Sequence, residues 1–589
     1  MITTFGPGSL VDLPMNSAII GGLETWLGKG QEIPENRLVE KLKRLLNVKN
    51  LQLFAPPADA QDPDAPRTGI TAWQFPEWFI TQEAVREDPT GRVRSRRLVP
   101  RRALTKGKYI DDAKNKHPVV PIRFVRACPR GHIGDIHWSE FAHTNNPECR
   151  RPLWIDERGT SGDISEIDIR CECGERQPLK SATLPGKLRR CSGDRPWLGP
   201  NSREDCDELN RFLVRHASNA YFAQVMSVIS LPDRDESLEA AVNLVWDSHL
   251  QYVETIEELQ KDRARKAPVK HALEGYSDEE VVEEIEFRKG SRLEGPTKSV
   301  KLAEFEVLSN VVDSSGSDAS DSVFFASVLP KDKWDASWMK SVEKVVLVHR
   351  LREVVAQVGF TRFEAISADT EGELDLELAL KLAPLSREEV TWLPAVENRG
   401  EGVFIQFKKT AIDEWLGREE VKKRAGVLRL GFDTWQSQHP QTTRKYRGIA
   451  QYLVHSISHL LLTAVSLECG YPASSIRERF YAEEYGYGIL LYTGTPDAEG
   501  TLGGLVEAGR QIKDFLKSAL ESGKLCSNDP VCSQHDPQNA HEQRYLHGAA
   551  CHGCLLIAET SCEQHNDLLD RALVVPTVDS HGTEFFREE

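Results

Sequence analysis

Several signatures of catalysis, transport and export are missing from this 589-residue chain. The opening MITTFGPGSLVDLPMNSAIIGG has no basic segment, and Asp12 interrupts its apolar stretch, so it does not read as a secretion signal. The longest strongly apolar run, Leu460 to Leu467, is far short of the ~20 residues of a membrane span. GTLGGL (Gly500–Leu505) and WLGKG (Trp26–Gly30) have neither the Walker Lys-Ser/Thr nor the Gly-x-Gly-x-x-Gly pattern, which leaves tight turning as their use. There is no His-x-Lys nuclease motif and no repeat at solenoid period. Basic excess is absent too: the formal charge is −16, which argues against a surface that attracts nucleic acid all over. A reducing cytoplasm is the expected compartment.

What is present is cysteine, twelve in all. In a reducing compartment, clustered cysteines hold metal more often than they pair. CSNDPVC supplies Cys526 and Cys532, and CHGC supplies Cys551 and Cys554, nineteen residues further on. The second pair is a standard knuckle for tetrahedral zinc; the first is wider, so its Asn-Asp-Pro turn must fold the sulfurs together. Cys562 is a substitute ligand or a buried thiol. Structural zinc is the preferred reading. A core or disulfide role, and a zinc with an open catalytic position served by His552, Glu559 or Glu563, remain as alternatives. A second cluster holds Cys128, Cys149, Cys171, Cys173, Cys191 and Cys206, with His132, His137 and His143 among them. One partition puts Cys171, Cys173, Cys191 and Cys206 on one ion, and Cys128, Cys149, His132 and His143 on another. Two or more structural Zn2+ ions are therefore expected.

Two further motifs carry chemistry. HSISH (His455–His459) spaces two imidazoles as zinc proteases do, but Ser456 stands where the general-base Glu belongs. Glu468, Glu478 or Glu483 would be its third ligand. RVRSRRLVPRR gathers Arg92, Arg94, Arg96, Arg97, Arg101 and Arg102, which either grip phosphates or form a solvated or partner-facing loop.

The composition, 40% hydrophobic and 28% charged, is that of a globular protein too long for one core. We expect a mixed α/β (α+β) multidomain protein with zinc-binding modules and a helical insertion. Its parts are an N-terminal region (1–115), a Cys-rich region (116–235), a charged helical insertion (236–330), a middle α/β region (331–440) and a C-terminal Cys-rich zinc domain (441–589). Periodicity predicts a long amphipathic helix over WMKSVEKVVLVHRLREVVAQVGF, ended at Gly359, and a loop over DSSGSDASDS. It also predicts a buried helix closing at Gly470, a core strand over YGILLYTG, and helix from GLVEAGR to Gly523.

The segments CSNDPVC, GAACHGCLLIAETSCE and NDLLDRALV, with YLVHSISHLLL, SSIRERFY, ILLYTGTPDAEGTLGGLV, FGPGSLVDLP, PIRFVRACPRGHIGDIHW, CSGDRPWLG and VVLVHRLREVVAQVGFTRF, resemble the DrmB family. That family supplies a core subunit of the bacterial anti-phage system DISARM, and the C-terminal segments are shared with some zinc-containing helicases. AWQFPEWFITQEA departs from the pattern, since similar proteins often carry a Cys-x2-Cys knuckle there. The resemblance implies a non-motor subunit without turnover of its own. It would form a heterodimer with the helicase DrmA and help it engage DNA, with a single-stranded end, during restriction of phage DNA. A zinc-dependent hydrolase or nuclease, and a scaffold touching only protein, are the rival readings.

Overall fold

A computed structural model of the chain describes residues 2–587, except 14–15, 59–66, 84–85, 88–92, 144–147, 159–161, 233–235, 247, 254, 279–280, 283, 286–298, 320–321, 364–381, 440–441, 443, 484–485, 495–503, 540 and 542–543. The fold is mixed α/β, and its sheets are almost wholly antiparallel. Arg92 and most of GTLGGL lie outside the described residues.

Two large sheets organise the described residues. The first runs, strand by strand, Arg176–Pro178, Ile167–Cys171, Leu153–Arg158, Val93–Pro100, Trp78–Thr81, Lys116–Pro121, Lys108–Ile110, Leu104–Thr105, with Arg86–Glu87 beside Val93–Pro100. Its apolar face buries Ile80, Leu98, Ile155 and Ile169 against Trp138 and Phe141. The second is built on two long central strands, Val342–Thr361 and Trp392–Phe407, paired so that Val346 faces Phe404 and Ala356 faces Ala395. Gly486–Thr493 and Ile476–Glu483 extend it on one side, Phe324–Val328 and Ser314–Gly316 on the other.

The segment expected as an amphipathic helix, Trp338 to Phe360, is mostly the 20-residue strand Val342–Thr361. Its apolar residues serve alternate faces: Val345 and Leu347 pack into one core, Val346 and Val348 into another, and farther along Val354, Ala356, Val358 and Phe360 into a third. A strand buried on both sides reads as a continuous apolar run, which a helical period fits by accident. Seven valines, stiff at χ1, favour the extended form. The loop expected over DSSGSDASDS contains the short strand Ser314–Gly316, held by backbone pairing of Ser315 with Ala326 and so needing no apolar side chain.

The helix Ile449–Cys469 forms as read, closing at Gly470 in the left-handed conformation (φ 70°) that glycine adopts without strain. By length and mean hydropathy (1.2) it would span a membrane, but 89% of its apolar window is buried inside the protein, as a core helix. The apolar run of the sequence, Leu460 to Leu467, is thus the C-terminal part of a longer buried helix, and its last residue, Leu467, reaches the surface. It packs on the strands Ile476–Glu483 and Gly486–Thr493 and against Ile512–Gly523. The latter is separated from Gly504–Arg510 by a break at Gln511, where one continuous helix was expected. In the chain between Phe222–Ser230 and Ser314–Gly316, both strands of the second sheet, Leu238, Val242, Trp246, Leu259 and Val269 form a separate helical core.

Candidate metal centres

Cys526 follows the helix Ile512–Gly523 closely, and the turn after it brings Cys532 back: the Cys532 amide donates to the Asn528 carbonyl (3.0 Å). The knuckle Cys551–Cys554 closes through the Cys554 amide on the Cys551 carbonyl (3.1 Å). The four sulfurs meet at Cys526–Cys551 3.5 Å, Cys551–Cys554 3.7 Å and Cys532–Cys554 3.8 Å. None of the cysteines is in a disulfide. A tetrahedral zinc with Zn–S of about 2.3 Å has sulfur–sulfur edges of roughly 3.8 Å, so the group has the size of a zinc cage. Backbone amides of Asn528 and Gly553 donate to Cys526 Sγ (3.4 Å) and Cys551 Sγ (3.3 Å), the arrangement that steadies thiolates. Below them Arg571, fully buried, spans both Asp529 oxygens (2.6 Å each) and the Gly523 carbonyl (3.0 Å).

The N-terminal donors fall into two groups, and neither is the partition expected from sequence. Cys128 and His132 join Cys191 and Cys206, while His143 and Cys149 join Cys171 and Cys173. Strand pairing is the cause. Leu153 lies opposite Cys171, so the chain just before that strand, with Cys149, arrives beside Cys171 at 3.8 Å. Ala127 lies opposite Arg211, and an isolated bridge joins Arg190 to Leu209, which draws Cys128, Cys191 and Cys206 to one end. Cys128 Sγ is 4.0 Å from Cys206 Sγ and 3.4 Å from His132 Nδ1.

Each histidine is held by its outer nitrogen. His132 Nε2 meets Glu204 Oε1 at 2.7 Å, leaving Nδ1 toward the sulfurs; His143 Nδ1 meets the Ser139 carbonyl at 2.5 Å, leaving Nε2 3.2 Å from Cys173 Sγ. That is how metal-binding imidazoles are oriented. His137 belongs to neither group. Protons are also shared unevenly: hydrogen bonding from Cys128 holds the Cys191 thiol down to about 4, and Cys554 holds Cys532 down to about 6, while Cys128 and Cys554 are themselves driven up. Packed sulfurs cannot all ionise together without a cation among them. Zinc in such closed sets would supply folding energy and rigidity rather than a reactive water.

The remaining predicted residues lie elsewhere. The arginine run is largely strand: Val93–Pro100 pairs with Leu153–Arg158, Arg96 meets Glu157 (2.5 Å) and Arg97 meets Glu172 (3.0 Å) while lying over Trp154. Arg101 is 3.7 Å from Glu77; Arg94 and Arg102 are exposed. His552 and Glu559 are exposed and outside the four-sulfur group, and Glu563 pairs with Lys301 at 2.7 Å. HSISH is buried in the core. Its imidazoles face Glu478, not the exposed Glu468, and Cys562 stands with them rather than with the other C-terminal cysteines.

A family model described as a domain of unknown function (DUF8724) matches residues 1–222, and one described as the MrfA Zn-binding domain matches residues 457–555, which contain the four-sulfur group. A solved structure titled DUF1998 helicase MrfA bound to DNA aligns with 13% identity over 37% of this chain and 23% of the helicase, at a TM-score of 0.18. The curated DISARM protein DrmB of Bacillus paralicheniformis is 30% identical over 498 residues, covering 79% of this chain and 82% of that protein. The chain belongs to the DrmB family of DISARM proteins.

Proposed function

We propose that this chain is a non-motor accessory subunit that binds the helicase DrmA in the cytoplasm and helps the pair engage DNA with a single-stranded end, in restriction of phage DNA. The family relationship over 79% of the chain carries this reading. Three zinc ions, one in each cysteine-rich group, would rigidify the docking faces. The acidic surface, net −16, suits a basic partner, and the exposed Arg94 and Arg102 are the phosphate contacts left by the ion pairs of Arg96, Arg97 and Arg101.

Co-purification with the helicase and titration with tailed DNA at several salt concentrations test the proposal. The complex is expected to bind DNA more tightly than the helicase alone. Arg94→Glu with Arg102→Glu should weaken binding and lower the salt slope by about 1 per lost contact. Absence of a stable complex refutes the proposal. A scaffold that touches only protein is the second reading, favoured by those three paired arginines; it predicts a complex whose DNA affinity the double substitution leaves unchanged.

A further inference from the structure

We infer that His455, His459, Glu478 and Cys562 form a fourth metal site, a closed structural site for a divalent transition ion, zinc by its donor set. One donor atom from each lies within 4.8 Å of the others, and all four residues are buried. His455 Nε2 is 2.9 Å from Glu478 Oε1 and 3.2 Å from Cys562 Sγ, and His459 Nε2 is 3.1 Å from the same oxygen. Tetrahedral zinc with nitrogen, oxygen and sulfur donors has edges of roughly 3.3–3.5 Å, close to these separations. The match to the MrfA Zn-binding domain ends at residue 555 and begins at 457, so neither Cys562 nor His455 falls inside it.

Three features of the surroundings point to an ion rather than to a hydrogen-bonded polar cluster. First, His459 Nδ1 donates to the Leu555 carbonyl at 2.8 Å, so in the neutral ring the Nε2 lone pair faces a carboxylate oxygen. Between such a nitrogen and oxygen there must be either a proton on the ring or a metal ion. The other Glu478 oxygen takes the Ser458 hydroxyl, leaving Oε1 for the ion. Second, Cys562 Sγ receives the amides of Gln564 (3.4 Å) and Asn566 (3.2 Å), with His565 and Asn566 at positive φ. The amide two residues on also reaches the sulfur at Cys191, Cys526 and Cys551, each in a cysteine-rich group. Third, the nearby charges already cancel. Lys301 and Arg479 pair with Glu563, and Arg479 also with Glu304. Among the described residues no Lys or Arg pairs with Glu478, whose carboxylate faces the two imidazoles in a dry site; a divalent cation held by that carboxylate and by Cys562 as a thiolate would leave no net charge there.

With four protein donors and no exposed face there is no position for a reacting water. The ion would instead fasten the helix Ile449–Cys469 to the strand Ile476–Glu483 and to the loop 562–566.

Elemental analysis of the purified full chain is expected to give four zinc ions, and soluble Cys562→Ser and Glu478→Gln chains three, whereas Cys551→Ser loses its ion from a different group. Wild-type metal content in the Cys562→Ser and Glu478→Gln chains overturns the inference. If those variants do not accumulate, zinc-edge X-ray absorption of the wild-type chain decides. Four sites average eleven sulfurs to five nitrogen or oxygen donors, and the three cysteine-rich sites alone average ten to two. The second ratio overturns the inference without touching the cysteine-rich sites.

Discussion

Replacing Arg571 by Met should loosen the C-terminal zinc group although no ligand is changed. The guanidinium is fully buried and grips both oxygens of Asp529, whose side chain is 11% exposed, inside the turn that carries Cys526 and Cys532. Removing one partner of a buried pair strands the other charge, at a cost of ~3–5 kcal/mol. Asp529 keeps a hydrogen bond from the Ser533 amide (3.2 Å) and some access to water, which places the cost near the lower end, ~3 kcal/mol. Metal binding and local folding are one equilibrium here, so apparent zinc affinity should fall by roughly 150-fold. A chromophoric chelator titrated against the full chain reads this directly, without assuming two-state unfolding of so large a protein. Adding Asp529→Asn should restore most of the loss, because the stranded charge is gone. A change below about threefold in the single variant, or no recovery in the double, refutes the reasoning.

Other outcomes follow from the same geometry. Gly193→Ala would place a Cβ 1.6 Å from the Glu204 carbonyl oxygen at φ +66°, so it should cost ~2 kcal/mol or more and empty the Cys128 group in metal analysis while sparing the other cysteine-rich groups. Burial raises the Asp135 carboxyl to about 7 from 3.8, so its proton is held in the folded state and already lost in the unfolded one between those values. Stability from this group is present below ~3.8 and lost as pH rises through ~7; Asp135→Asn should therefore gain in melting temperature over wild type from about pH 4 to about pH 7 and hold that gain above, and a constant difference across that range would contradict this. Glu353, buried between Arg477 (2.7 Å), Asn398 (2.9 Å) and Tyr492 (2.8 Å), should not tolerate Leu: loss of soluble protein or a drop of ~3 kcal/mol in a denaturant midpoint is expected, since Arg477 is left unpaired.

The legible parts of the site are those fixed by local spacing. CHGC and CSNDPVC lie nineteen residues apart, and each brings its own two sulfurs together through a local turn. The six N-terminal cysteines announced metal, yet their sorting depended on which strands pair, a non-local property that residue spacing does not carry. HSISH showed two donors on one helix face; choosing Glu478 over Glu468 required the sheet that follows the helix, and Cys562 arrives from over a hundred residues away. The arginine run gave its charge but not its partners. Glu157 and Glu172 come from the strand opposite and the turn beyond it, and they convert a presumed free patch into paired sheet residues. Val342–Thr361 was misread because burial on both faces erases the alternation that marks a strand.

That strand has a mechanical implication. Twenty residues at ~3.3 Å each extend roughly 66 Å, and the same ribbon contributes side chains to three hydrophobic cores. Its pairing with Trp392–Phe407 shifts register between Val342 and Lys344 and between Val348 and Leu351, so the ribbon bends at those bulges while staying paired along its length. Force applied at one end of this strand is expected to reach the other through its backbone pairing with the strands beside it.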